Sequence, residues 1–289
     1  MAENLNFSFN FPEKSWLELR RFLENQGIEV KAFSGGFRTR FEDTTISWFK
    51  TGKLLLQGKN ASDFAEELYV RGLIKTSLSD KKEPRIGVDE AGKGDYFGPL
   101  VVAGALVIPE QEHTLIRLGV RDSKTIGIDS LEKLAKELEK ILVHSKVVIN
   151  PSRYNQLHQN MGNVNKVLGW AHARVIENIL ENHSVKLAIS DQFGDEQYIR
   201  GALLERGKKI LLIQKPGGEQ DLAVACASII ARGEFLSRLK ILSKKAGILL
   251  PRGSGEEVLE IAKELVKKVG KEKLWEFAKV HFKTSKKIF

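Results

Sequence analysis

From Arg85 onward the chain reads as three strands in succession and then as helix alternating with strand, an order that few folds accommodate. The strands are expected at residues 85–89, 99–108, near 143–149, 185–190 and 210–214. A helix over 131–142 precedes the third strand, with Asp129-Ser-Leu-Glu132 resembling a capping box. A second helix, 163–182, carries Val164, Val167, Leu168, Ala171, Val175, Ile179 and Leu180, the stripe of a packed helix. A third runs over 222–245. Sequential strands followed by helix-linked ones predict a mixed five-stranded sheet covered by helices, an α/β fold.

Residues 1–76 have a different texture. A strand over 6–11 is followed by a helix from about 12 to 25, with Pro12 in a permissible first-turn position. Short strand-like runs follow at 28–33, 37–41, 44–50 and 53–57, parted by Gly35-Gly36, Glu42-Asp43 and Thr51-Gly52, and 62–73 is helical in pattern. A small antiparallel sheet with helices is the economical reading. The polar stretch 77–84 is expected to link it to a second domain, 85–289.

A chain of 289 residues buries a core without staples, and its lone Cys226 lies in the apolar run Ala223-Val-Ala-Cys-Ala227, where a buried thiol is expected. No run approaches 18 apolar residues, and Met1-Ala-Glu-Asn-Leu-Asn6 lacks a basic or apolar leader pattern, so the expected location is the cytoplasm. The formal charge is +9, and residues 261–289 hold nine lysines against three glutamates, six of those nine charges. Such an excess suits a polyanion, and equally a merely solvated helix face.

The chemistry concentrates in Gly87-Val-Asp89-Glu90-Ala-Gly92-Lys93-Gly94-Asp95-Tyr-Phe-Gly98-Pro99. Read as a phosphate-cradling loop, Gly87 and Gly92-Lys93 have the right spacing, but Gly94 stands where a magnesium-binding hydroxyl belongs, and two acids sit inside the loop. Read as a dinucleotide fingerprint, the glycines are one residue out of register. Read as a cation site, the acids make sense: hard divalent ions take carboxylate and phosphate oxygens together. Neighbours on a strand point to opposite faces, so Asp89 and Glu90 share a site only where the strand ends or turns. Asp191 closes strand 185–190, and parallel pairing with the first strand would bring it beside Asp89 at the carboxyl edge. A fourth acid is expected from Gly217-Gly-Glu219-Gln-Asp221, with either Glu219 or Asp221 available and Asp221 also a good helix cap. The six histidines and the cysteine have no zinc-like spacing; His172 is assigned to packing or hydrogen bonding, and Ser254 lacks the flanks of a catalytic serine.

With these residues stated, a resemblance is apparent. The run 87–100 is similar to the first motif of the type 3 bacterial ribonucleases H, the ribonuclease HIII family, and Asp95-Tyr-Phe97 favours type 3 over type 2. Asp122-Ser-Lys124, Tyr154-Asn155 with Asn163-Val-Asn165 and Ala171-His172, the run 223–232, and His281-Phe-Lys-Thr284 resemble further motifs in order. The resemblance implies a ribonuclease H-like catalytic domain and an N-terminal domain like half of the TATA-binding protein. It implies cleavage of the RNA strand of RNA/DNA hybrids with two Mg2+ or Mn2+ ions, leaving 5′-phosphate and 3′-hydroxyl ends. The catalytic acids would be Asp89, Glu90, Asp191 and Glu219, the first three as metal ligands, with Asp221 competing for the fourth place. Gly92, Lys93 and Gly94 would meet ribose 2′-hydroxyls and Lys124 a phosphate; the N-terminal sheet, carrying Arg38, Arg40, Trp48, Lys50 and Lys53, would bind the hybrid backbone, although aromatic residues in such a sheet are more often core than platform. A monomer is expected. The competing functions are a non-catalytic nucleic-acid binder and a type 2-like enzyme incising at single ribonucleotides.

Overall fold

The computed structural model describes residues 5–78 and 82–288, so part of the expected linker, 79–81, lies outside the described residues. Two five-stranded sheets organise the chain.

The first has the order β1-β5-β4-β3-β2, all antiparallel, from β1 (Leu5–Asn10), β2 (Lys31–Phe33), β3 (Gly36–Phe41), β4 (Thr44–Phe49) and β5 (Lys53–Gly58). Helix α1 (Glu13–Asn25) opens after Pro12, whose missing amide is one the helix would leave unpaired anyway. It buries Trp16, Leu19 and Leu23 against Trp48, whose ring stacks on Trp16 at 5.3 Å and whose indole donates to the Phe11 carbonyl. Helix α2 (Ala61–Val70) buries Phe64 and Leu68 in the same core. Trp48 therefore belongs to the covered face, in keeping with the core reading of the sheet's aromatic residues, and does not share the face that carries the cations. Arg38, Arg40 and Lys53 are exposed: direct pairing of Lys31 with Arg38, Arg38 with Ser47 and Phe49 with Lys53 puts these cations on the other face. Lys50 lies in the turn after β4.

The second sheet has the order β10-β9-β6-β7-β8. Strands β6 (Arg85–Ala91), β7 (Leu100–Val107) and β8 (Val143–Ile149) meander antiparallel, while β9 (Leu187–Asp191) pairs parallel with β6 and β10 (Leu211–Lys215) parallel with β9. This is the mixed sheet expected from the element order. Helices α3 (Glu112–Arg117) and α4 (Ile128–Ile141) lie between β7 and β8, followed by α5 (Pro151–Met161), α6 (Val164–Leu180) and the short α7 (Gln197–Arg200). The 25-residue α8 (Leu222–Ala246), α9 (Glu256–Val269) and the single-turn α10 (Lys283–Lys286) complete the chain. Strand β7 is buried along its whole length because α8 covers one face of the sheet and α6 the other. Asn163 caps α6, accepting from the Asn165 amide. Helix α4 starts earlier than the capping-box pattern implies: Gly127 is its N-cap and Asp129 sits in the first turn. Helix α5 has no counterpart among the expected elements.

The two halves meet through a buried polar cluster. Arg85, fully buried at the start of β6, donates to Glu112 (2.6 Å) and Asp221 (3.0 Å), and Tyr69 of α2 and Thr76 both donate to Glu112 at 2.7 Å. The Leu78 amide donates to Asp221, and Leu222 donates to the Thr76 carbonyl.

Candidate active site

Strand β6 does not end at Asp89 as expected; it runs on to Ala91, and Glu90 still pairs with Val102. Both acids nevertheless line one cavity of about 370 Å³ with Asp191 and Glu219. The parallel pairing of β6 with β9 stops at Val88 and Ser190, so the strands part just beyond and the cleft is open to both sides of the sheet. Alternation then works for the site. Asp89 turns toward α8 and hydrogen-bonds Ser228; Glu90 turns toward α6 and lies 3.1 Å from His172.

Each carboxylate has its own electrostatics. Burial, the charge of Glu90 and that of Asp191 push Asp89 up to about 8, against the opposing hydrogen bonds from Ser228 and the Glu90 amide. Burial would raise Glu90 too, but His172 and Lys93, the latter at 3.5 Å, outweigh it and hold its pKa below the usual value. His172 is fully buried, and its other nitrogen lies 3.2 Å from the Ser190 hydroxyl. Asp191 ends β9 and accepts from the Gly218 amide at 2.9 Å. Only glycine fits there, since a Cβ on Gly218 would stand 2.6 Å from the Asp191 Cα. That contact presses the turn Gly218–Gln220, and with it Glu219, against the strand end.

Asp221 is occupied elsewhere. It is fully buried, accepts from Arg85, Leu78 and Ala223, and caps α8. It does not line the cavity, whereas Glu219 does.

Cations and glycines form the rest of the rim. Gly92, Lys93, Gly94 and Lys124 all line the cavity. Gly92 has φ +89°, and a Cβ would lie 2.2 Å from the Pro99 carbonyl oxygen, so the loop turns here only with glycine. Beside Gly94 there is open space. Sequence reasoning missed Arg232 and Arg252, which also line the cavity. Arg232 donates to the Ser123 carbonyl, behind Lys124. A signal for Arg232 existed: Ser228, Arg232 and Phe235 recur at i, i+4 and i+7 along α8 and share the cavity wall. Nothing local marks Arg252, whose position depends on the Gly253 amide donating to Asp95.

Among the described residues no three carboxylate, imidazole or thiol groups already close around one point that would hold an ion. The donor set still fits a hard divalent cation, because its donors are carboxylate oxygens, and burial together with the neighbouring charges of Glu90 and Asp191 leaves Asp89 short of a cation.

Comparison with known proteins decides the family. The ribonuclease HII family model matches residues 86–285, and a domain of unknown function matches 6–77. The ribonuclease HIII of Protochlamydia amoebophila (strain UWE25) is 37% identical over 276 residues, covering 92% of this chain and 91% of the relative. The chain belongs to the ribonuclease HIII family. The ribonuclease HIII of Chlamydia pneumoniae is likewise 37% identical, covering 87% of each protein. The crystal structure of Bst-RNase HIII in complex with Mn2+ aligns with TM-score 0.70 at 28% identity over 98% of this chain and 97% of that one. Aquifex aeolicus RNase H3 aligns with TM-score 0.58 at 28% identity, covering 95% and 99%. As a ribonuclease HIII relative over nearly its full length, the chain is a ribonuclease H. Among the described residues no helix is long and apolar enough to cross a membrane.

Proposed function

We propose that this chain is an endonuclease that hydrolyses the RNA strand of RNA/DNA hybrids, acting as a single chain in the cytoplasm and leaving 5′-phosphate and 3′-hydroxyl ends. The observation that carries the reading is the convergence of Asp89, Glu90, Asp191 and Glu219 on one cavity rimmed by Lys93, Lys124, Arg232 and Arg252. Carboxylates alone would repel a phosphodiester; carboxylates with divalent ions and a cationic rim bind one.

Asp89, Glu90 and Asp191 are the residues that would hold two Mg2+ or Mn2+ ions, with Glu219 the fourth catalytic acid. When bound, such ions lower the pKa of the attacking water and offset charge on the leaving 3′-oxygen. His172 keeps Glu90 ionised and fixes its direction. Lys124, Arg232 and Arg252 hold the phosphates flanking the scissile one. The backbone of Gly92, Lys93 and Gly94 meets the ribose 2′-hydroxyl, the group that separates RNA from DNA. The N-terminal sheet is the substrate-binding domain, gripping the hybrid backbone with Arg38, Arg40 and Lys53.

The test is incubation with labelled RNA/DNA hybrid, double-stranded RNA and a duplex carrying one ribonucleotide, with Mg2+, Mn2+ or chelator. Cleavage of the continuous hybrid alone, stopped by chelator, is the expected result. The match of the ribonuclease HII family to 86–285 favours one second reading, incision at a single ribonucleotide, and preferential cutting of that duplex would establish it instead.

A further inference from the structure

The cavity loop is held from behind by a charge that the site itself does not use. Lys279 is fully buried, yet among the described residues its ammonium meets no carboxylate. It donates instead to main-chain carbonyls, those of Asp95 (2.8 Å) and Gly98 (2.7 Å), with that of Phe97 at 3.5 Å. These three residues lie within the four that follow Gly92-Lys93-Gly94, and the Asp95 amide closes a turn onto the Gly92 carbonyl.

A structural anchor would need no charge here, because the backbone already docks this segment. Ala278 bridges Phe97, the Lys279 amide donates to the Tyr96 carbonyl, and Gly98 donates to the Phe277 carbonyl. The Asn155 carboxamide donates to the Ala278 carbonyl and accepts from the Val280 amide, and the Tyr96 hydroxyl lies 2.9 Å from Ser285. Burying an ammonium is unfavourable, and burial pushes this one down to about 7 with only the charge of Asp95 opposing. What the ammonium adds is orientation. Three donors on one nitrogen draw three carbonyls to one point, which fixes the peptide planes of the loop and so the direction of its amides.

We propose that Lys279 is a positioning residue: by gathering the carbonyls of Asp95, Phe97 and Gly98 it sets the backbone of Gly92, Lys93 and Gly94 at the height where a ribose is read. The consequence for turnover rests on the hybrid-cleaving function proposed above; the consequence for loop order does not.

The experiment compares the full-length protein with its Lys279→Met and Lys279→Gln variants by thermal melting, by amide hydrogen exchange of the peptide 91–99 and by kcat and KM on the continuous hybrid. Lys279→Met is expected to stay folded, to exchange faster in 91–99 than in β7, and to lose kcat by about a hundredfold with KM nearly unchanged, the scale of a small misplacement in an active site. Lys279→Gln, which keeps two donors, is expected to recover part of both. A variant that only melts earlier, with wild-type exchange and kcat, overturns the proposal. So does a failure of both variants to fold, since the backbone contacts would then not suffice. If the wild-type protein cleaves no hybrid with any metal, the function is wrong, and the exchange data still decide whether Lys279 orders the loop.

Discussion

The two sheets are equal in strand number and opposite in how they meet water. The N-terminal sheet is covered on one face only, so its far side is a broad surface where Arg38, Arg40 and Lys53 stand exposed. The second sheet is covered on both faces, and its acidic cavity sits at the edge where β6 and β9 part. An open face with exposed cations can attract a phosphate backbone but has nothing to enclose a reacting group. A crowded, part-buried edge can do that, because burial and the charges of Glu90 and Asp191 together are strong enough there to move the pKa of Asp89. On the proposed function, affinity belongs to the first sheet and chemistry to the second.

The sharpest break of that division is Asp89→Asn, which should cut hybrid cleavage by ~10³-fold or more while leaving hybrid affinity within a few fold. A cleavage assay beside a binding titration reads both, and a variant with full activity would remove Asp89 from the chemistry. The joint between the sheets comes next. Arg85→Met leaves Glu112 and Asp221 buried without their cation, and the expected loss of stability is about 3–5 kcal/mol in denaturant unfolding. A loss below 1 kcal/mol would mean that Tyr69, Thr76 and Leu78 already satisfy those carboxylates.

How far the sequence reached follows the range of the interactions involved. Strands and their succession along the chain were legible because burial on both faces or one writes itself into local pattern, as in β7 and the stripe of α6. The pair Asp89-Glu90 was legible as chemistry, though the reason both can share a cavity, the parting of β6 from β9, is a tertiary fact. The choice between Glu219 and Asp221 was not legible. It depends on Arg85, 136 residues away along the chain, which draws Asp221 into the interior. Trp48 shows the same limit from another side: alternation in β4 tells that two faces exist, not which one α1 will cover. Gly127 displaced Asp129 as the cap of α4 although the box pattern was present. Arg252 and Lys279 act through backbone partners, and backbone acceptors leave no trace in side-chain pattern.

The pH response of the metal-free protein sharpens the electrostatic half of the comparison. Asp89 titrates near 3.8 when unfolded and at about 8 when folded, so between those values the folded state binds more protons. Stability from this group is therefore full below about pH 4 and falls as pH rises toward 8. Unfolding in chelator at pH 5, 7 and 9 should show that decline, and Asp89→Asn should flatten it. Adding Mn2+ at pH 8 should stabilise the wild type by about 2.7 kcal/mol at a hundred times its Kd and the variant by much less. Equal stabilisation of both would show that the ion binds away from Asp89.

The smallest expected effect tests the open face. Arg38 is spread across the sheet between Ser47 and the Phe33 ring, and Arg40 is largely exposed beside Asp43, so neither supports the core. Arg38→Ala with Arg40→Ala should leave melting and saturated kcat unchanged. If each guanidinium displaces one condensed counterion, the slope of log affinity against log salt should shrink by about 2, with affinity falling most at low salt. A change in kcat instead would mean that this sheet steers the hybrid into the cleft rather than merely holding it, and the division between affinity and chemistry would have to be redrawn at the joint built on Arg85.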